Sequence, residues 1–499
     1  MTERRATTWR PILAAALVLV TSVACEPRDA AAKRKSRAAE EARQAALAAE
    51  PPTPRSDSQL AAEGKLNAEL ARRDSVAAAL HRSLGRDAAE VAALPPLVLP
   101  EPRLLSPTTA GSAEQRALLL KSARTAWHFV SRNVAGSGFV GATESYPYAT
   151  VWDMASTLAA TFSARELGIL TPTAYKVAMD RCLKTLLEMP LYDSVAFNKM
   201  YAVQSGRMID RKVQPSREGY GWSALDHGRM LTWLRIVGTD TQYAARTRAI
   251  VARLKLDRLI VDGYLRGQDL NPRYGQPLIA KTRLYGEGRI GYEQYAAEGY
   301  ALWGARAPLA LNFGANARPV QVEGSTVLAD LRGADVLTSE PFIMMGLELG
   351  WKTPQWRALS LAMLDAQEAR SRETGHITLV SEDAVNDPPW FFYYYLLYRD
   401  STTFVVTSPL GHRSPNFPRW VSTKAAFGYH ALAPSDFTWR ALEAVQPSGA
   451  SGGGWTAGVY EGSERPTHAY NLNTAAVVLE SAAYVLRGGC PLIERCNTR

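Results

Sequence analysis

Four cysteines in 499 residues (Cys25, Cys182, Cys490 and Cys496) are too few for a disulfide framework, and no Cys/His spacing matches a zinc site. Asp262, Asp269, Asp383 and Asp387 lack the spacing of a calcium loop. Neither a Gly-rich phosphate loop nor a Gly-x-Ser-x-Gly nucleophile turn follows a predicted strand, so kinase, dehydrogenase and serine-hydrolase chemistry lack their signatures. No cofactor and no metal are expected. Residues 26–100 contain no aromatic residue and consist largely of Ala, Glu, Arg, Lys and Pro. Such a segment buries too little apolar area to offset chain entropy and reads as a tether. The apolar run over residues 11–24 is too short to span a bilayer comfortably.

That run follows Arg4, Arg5 and Arg10 and ends Ser22-Val23-Ala24-Cys25, the form of an export signal over residues 1–24. The small residues suit an ordinary signal peptidase. The Cys directly after the cut suits lipoprotein processing, the favoured reading, with Cys25 as the lipidated residue. Glu26 leans toward the periplasmic face of the outer membrane; a soluble periplasmic or secreted chain is the alternative. Cys490 and Cys496 flank a short loop and are positioned to pair in an oxidising compartment. Cys182, on a helix-patterned segment, reads as a small buried hydrophobe. The net charge is +9, and the one dense basic run, residues 33–37, precedes the folded body, so nucleic acid is not expected as a partner.

The domain reading is therefore a signal over 1–24, a tether over 25–104 and one body over 105–499. Within the body, apolar residues recur at helical spacing over 113–133, 152–167, 173–189, 222–237, 240–254, 291–304, 339–349, 354–371, 422–432, 436–445 and 472–487. These eleven helices are one short of six hairpins. Short β pieces are expected at 259–261 and 404–406, and residues 308–336 show no helix period. Acidic–aromatic clusters recur near helix starts, at 145–153, 220–226, 285–300, 338–342, 381–395 and 455–461. The densest, 285–300, holds Glu287, Glu293 and Glu298 with Tyr285, Tyr292, Tyr295 and Tyr300. Aromatic rings stack on sugars, and paired carboxyl groups break glycosidic bonds. The pattern reads as an all-α, carbohydrate-active (α/α)6 toroid with small β insertions.

Thr150-Val151-Trp152-Asp153-Met154-Ala155-Ser156, Gly221-Trp222-Ser223-Ala224-Leu225-Asp226, the 292–304 stretch and Gly454-Trp455 with Tyr460-Glu461 resemble a bacterial family known as domain of unknown function 3131, over about 115–488. A more distant resemblance runs to the glycoamylase-like family, which includes endo-β-1,2-glucanases with an (α/α)6 toroid. Ser223-Ala224-Leu225-Asp226, Glu287-Gly288-Arg289-Ile290, Ser381-Glu382-Asp383-Ala384-Val385-Asn386 and Tyr460-Glu461 are similar to elements of that family. Glu340, before an apolar run, falls near a further element but out of register with it. The resemblance implies glycoside hydrolysis, with inversion the expected outcome.

Glu340, Glu382, Glu461, Glu287 and Asp383 are the catalytic candidates, with Glu340 or Glu382 as proton donor. The base is expected among Glu287, Glu382, Asp383 and Glu461. Trp152, Asp153, Trp222, Asp226, Arg289, Tyr292, Trp390 and Trp455 are candidate substrate contacts. Each has a plainer reading: Asp153 and Asp226 as helix-start acids, the aromatics as core, and His227, His376 and His430 as structural. The leading expectation is a lipid-anchored hydrolase of a bacterial exopolysaccharide or β-linked glucan. A non-catalytic polysaccharide-binding or assembly lipoprotein is one alternative. A lyase or transglycosylase drawing on Arg289, Asn386 and Tyr394 is another.

Overall fold

Among the described residues, nine helices begin at a Thr, Ser, Asp or Asn whose side-chain oxygen accepts a first-turn backbone N–H: Ser112, Thr150, Thr171, Ser223, Asp240, Asn312, Ser422, Ser435 and Asn471. Pro172 and Pro354 start two helices, and Pro341 is the second residue of a third, at positions that need no N–H donor. The computed structural model describes Leu99 and residues 112–144, 146–270, 282–330, 336–385, 390–398, 402–408, 413–414 and 416–496. The proposed signal, Cys25, the basic run and nearly all of the tether lie outside them. The described residues belong to one unit of the chain, Ala61–Arg499. None of their helices is long and apolar enough to cross a membrane.

The main helices are α1 (Ala113–Arg132), α2 (Val151–Glu166), α3 (Pro172–Glu188), α4 (Ala224–Val237), α5 (Thr241–Ala252), α6 (Tyr292–Ala301), α7 (Glu340–Met344), α8 (Pro354–Thr374), α9 (Thr423–Leu432), α10 (Asp436–Ala444) and α11 (Leu472–Leu486). All eleven expected helices are present, with ends shifted by a few residues. α7 continues as a π-helical turn, Met345–Leu349, closed by Gly350 in the left-handed region (φ 79°). Six helices form a closed inner ring: α2 packs on α4, α4 on α6, α6 on α7, α7 on α9, α9 on α11 and α11 on α2. They are buried on almost every face, which explains why their apolar pattern is nearly continuous. The amphipathic helices α1, α3, α5, α8 and α10 pack outside them.

The sixth outer position explains the missing helix. It holds two single-turn helices, Pro308–Leu311 and Phe313–Asn316, then a hairpin of Ala317–Val322 with Ser325–Asp330. The hairpin packs on α8, and Phe313 meets Trp356 of α8 edge-on at 5.0 Å. Strand alternation in this stretch erased the helical period. Inside the ring, α4 and α6 approach through glycine. A Cβ at Gly228 would lie 2.3 Å from the Ala296 Cα, and one at Gly299 would lie 2.1 Å from the Gly228 carbonyl oxygen.

Small antiparallel sheets fill the connections. Strands β1 (Tyr148–Thr150) and β2 (Met200–Ala202) pair, as do β3 (Gly221–Trp222), β4 (Tyr264–Leu270) and β5 (Thr282–Gly286) in the order given. Strands β6 (Glu382–Ala384), β7 (Phe391–Tyr398) and β8 (Thr402–Thr407) form a third sheet, with Asp383 opposite Phe392. β9 (Trp420–Ser422) pairs with β10 (Gly458–Tyr460). The β pieces expected at 259–261 and 404–406 are present as Ile260–Val261 and within β8. Cys182 is buried and Cys490 is joined to Cys496.

Charged side chains from three inner helices meet inside the ring. Arg229 of α4 bonds Glu480 of α11 at 3.2 Å and lies 3.1 Å from Glu348 of the π-helical turn. All three are at most 1% exposed. Burial, then Glu348, raises the Glu480 pKa well above the usual range. The Arg229 guanidinium also stacks 5.0 Å from the Trp152 ring.

Candidate active site

A cavity of about 530 Å³ is lined by the first turn of every inner helix, or the residues just before it. These are Thr150, Trp152 and Asp153 at α2; Ser223, Leu225 and Asp226 at α4; Glu287, Arg289 and Tyr292 at α6; Glu340 at α7; Lys424 at α9; and Asn471 and Asn473 at α11. The convergence has a chemical consequence. Six helix N-termini bring their partial positive charge to one mouth, a setting that favours carboxylates. Six acids line it, against the two cations Arg289 and Lys424.

One half of the mouth, from α2, α4 and the approach to α6, carries Asp153, Asp226 and Glu287. Asp153 closes a capping box: its carboxylate accepts from the Thr150 N–H and Oγ1, both at 2.8 Å, while its own N–H donates to the Thr150 Oγ1 at 3.1 Å. Asp226 stands at the equivalent position of α4. Ser223 Oγ donates to Asp226 Oδ1 at 2.9 Å and accepts from its N–H at 3.1 Å. The sequence pattern placed this helix start two residues early, which hid the cap. Glu287 sits at the same helix end, its Oε2 accepting from the N–H groups of Ala224 and Leu225 and its Oε1 from the Tyr285 hydroxyl at 3.1 Å.

Burial raises the pKa of all three acids. For Glu287, Lys199 and the two N–H donors oppose it. Asp226 is pushed to about 7, by burial first and then by the Glu287 charge. Burial and the neighbouring Glu287 charge thus both favour the protonated form of Asp226.

The opposite half, from α7, β6 and α9, is cross-paired. Lys424 Nζ donates to Glu340 Oε2 at 2.6 Å and to the Glu382 carbonyl at 2.8 Å, and it lies 3.6 Å from Asp383 Oδ2. Arg289 bonds Glu382 at 2.9 Å and lies 4.2 Å from the Tyr292 ring. Asp383 accepts from Thr474 Oγ1 at 2.9 Å and from the Ala384 N–H at 3.1 Å. Burial raises the Asp383 pKa to about 6, with Lys424 opposing and Glu340 adding to it. Glu382 is raised by burial against the pull of Arg289.

Nine of the thirteen residues singled out from the sequence, lipidation aside, line this cavity: Glu287, Glu340, Glu382, Asp383, Trp152, Asp153, Asp226, Arg289 and Tyr292. Four lie elsewhere. Trp222 is 2% exposed, packs on Tyr192, and donates from Nε1 to the Arg266 carbonyl. Trp455 is 3% exposed, packs on Phe427, and donates to the Ser122 carbonyl. Both are core residues. Trp390 is 60% exposed, outside the cavity lining, with φ at 74°. Glu461 accepts from the Tyr394 hydroxyl at 2.7 Å beside the sheet, away from the cavity lining. That bond also occupies the hydroxyl needed by the lyase reading, whose Asn386 lies outside the described residues. Of the two expected proton donors, Glu340 and Glu382, Glu340 accepts at Oε2 from Lys424 and, at 3.5 Å, from Ser381.

Sequence reasoning missed Lys424, Asn471, Asn473, Tyr393 and Tyr395. Lys424 carried a signal, as the sole charge in the run Val421-Ser422-Thr423-Lys424-Ala425-Ala426-Phe427 at an inner-helix start. Tyr393 and Tyr395 carried another, since period-2 alternation in β7 places them on one face, rings parallel and 5.6 Å apart.

A closed ring of six inner helices, outer helices between them and one acid-lined mouth define the (α/α)6 toroid class. Solved structures bear out that fold. An endo-β-1,2-glucanase from Chitinophaga pinensis, in complex with sophorotriose and glucose, is similar at a TM-score of 0.52 and 10% identity, covering 77% of this chain and 96% of that one. A proposed glucoamylase from Bacteroides fragilis gives 0.56 and 11%, over 78% and 97%. One from Bacteroides caccae gives 0.54 and 13%, over 76% and 94%. No curated protein matches the sequence significantly. The chain belongs to the family described as protein of unknown function (DUF3131), matched over residues 121–488.

Proposed function

We propose that the protein is a glycoside hydrolase acting on a β-linked glucan or a bacterial exopolysaccharide. The observation that carries this reading is the pair of carboxyl sets on opposite halves of one ring, each with a member whose pKa lies near neutrality. Protonated Asp226, next to the Glu287 carboxylate, gives its proton to the glycosidic oxygen. Ionised Asp383 takes a proton from the water that attacks the anomeric carbon. Trp152 and Tyr292 offer apolar faces to the sugar, and Asn471 and Asn473 offer amides to its hydroxyls. The likeness to sugar-cleaving toroids supports the reading at the level of fold.

The test is incubation with a panel of β-glucans and bacterial exopolysaccharides, scored by new reducing ends and oligosaccharide masses. The reading expects both from at least one polymer. Polymer binding without product would favour a binding or assembly protein. Product absorbing in the ultraviolet would favour a lyase.

Export and lipid anchoring at Cys25 belong to the same proposal. The basic–apolar start supports it, as does the Cys490–Cys496 disulfide, since such bonds persist in oxidising compartments. Cys25→Ser is expected to move the protein from the membrane to the soluble fraction. Unchanged fractionation would refute the anchor.

A further inference from the structure

Lys424 stands where local preference opposes it. It is the second residue of α9, at a helix N-terminus that repels cations, and it is 2% exposed. Such a departure from local rule, without a stabilising role of its own helix, is characteristic of functional positions. Its ammonium has three protons. One goes to Glu340 at the start of α7, and one to the backbone carbonyl of Glu382 in β6. Asp383 Oδ2 lies 3.6 Å from the same ammonium, within ion-pair distance. One side chain thus ties two inner helices to the strand that carries both Glu382 and Asp383.

Resting on the hydrolase reading, we propose that Lys424 is a positioning residue that fixes β6 against α7 and α9 and so sets the Asp383 carboxylate toward the reacting water. The groups facing its ammonium are Glu340 from α7 and Glu382 and Asp383 from β6; Thr474 from α11 bonds Asp383, and Arg289 bonds Glu382. Without the ammonium, Asp383 keeps Glu340 as its charged neighbour. Like charge disfavours ionisation, so Asp383 would hold its proton to higher pH.

The test uses the full chain and needs no substrate. Infrared titration of the parent against Asp383→Asn isolates the Asp383 carboxyl band. Its midpoint is expected near pH 6 in the parent, and higher by about one pH unit or more in Lys424→Gln. Lys424→Arg, which keeps the charge, should return it toward the parent value. An unmoved midpoint in Lys424→Gln overturns the proposal. Should that variant fail to fold, the paired replacement Lys424→Met with Glu340→Met removes both charges. The midpoint is still expected to rise, because the Lys424 effect on Asp383 is the larger of the two. With a cleaved polymer in hand, the acid limb of kcat/KM should move in the same direction with KM little changed. Uniform loss across pH with no recovery in Lys424→Arg would assign Lys424 a structural role only. Silence on every polymer would sink the hydrolase reading, while the titration would still decide the role of Lys424.

Discussion

The two halves of the mouth solve one electrostatic problem differently. The half built from α2, α4 and the approach to α6 gathers Asp153, Asp226 and Glu287; Arg289, the lining cation of that approach among the described residues, bonds Glu382 across the mouth, and Lys199 acts on Glu287 from outside the lining. This half relies on helix N-termini, hydroxyl groups and an Asp226 carboxyl whose pKa burial and Glu287 raise. The half built from α7, β6 and α9 gathers Glu340, Glu382 and Asp383 and neutralises them with Lys424 and Arg289. The first arrangement suits storing a proton, and the second suits keeping a carboxylate. A glycosidase needs one of each.

The sharpest way to break the comparison is to remove one carboxyl from each half. Asp226→Asn and Asp383→Asn are each expected to lower kcat by about 10²–10⁴-fold, the range for a general acid or base. An exogenous small carboxylate such as formate should restore part of the Asp383→Asn activity. Full activity in either variant would remove that residue from the chemistry.

Stability should separate the halves in sign. Glu340→Gln leaves the buried Lys424 without its closest partner, and breaking such a pair costs about 3–5 kcal/mol. Asp226→Asn should act the other way. The Asp226 pKa is raised above its unfolded value, so its contribution is full below the unfolded pKa and is lost as pH rises through about 7. At pH 8 the ionised group costs stability, and Asn should raise the melting temperature by a few degrees. Melting curves of both variants at pH 5 and pH 8 check this. A stabilised Glu340→Gln or a destabilised Asp226→Asn would erase the contrast.

The pH profile follows from the same assignments. The base must be ionised, so kcat/KM should fall as pH drops below about 6. The acid must be protonated, so it should fall as pH rises above about 7. A narrow bell results. A flat profile from pH 5 to 9 would contradict both roles. Smallest of all, Trp390→Ala should leave stability and cleavage nearly unchanged, within about 0.5 kcal/mol, because its ring is exposed and outside the cavity. Trp152→Ala should weaken polymer binding.

Much of the toroid was legible because eleven of its helices carry apolar residues at helical spacing. The outer position after α6 was not, since a hairpin replaces the helix there. Acids at helix starts were legible as site candidates because six N-termini converge. Aromatic residues were not. Trp152 and Trp222 occupy similar sequence surroundings, yet one ring lines the cavity and the other donates to the Arg266 carbonyl in the core. Neighbouring sequence does not determine which way a ring turns. Glu461 shares the acidic–aromatic signature, but its partner Tyr394 faces away from the mouth on β7. Lys424 was hidden by distance, its partners lying 84 and 41 positions away in sequence.

The most direct test of the two-sided site is the product assay run side by side on the parent, Asp226→Asn and Asp383→Asn, with polymer binding measured on all three. The account predicts oligosaccharides from the parent, near-complete loss in both variants, and binding retained in both. Product release undiminished in either variant, or binding with no product from the parent on any polymer, would contradict it.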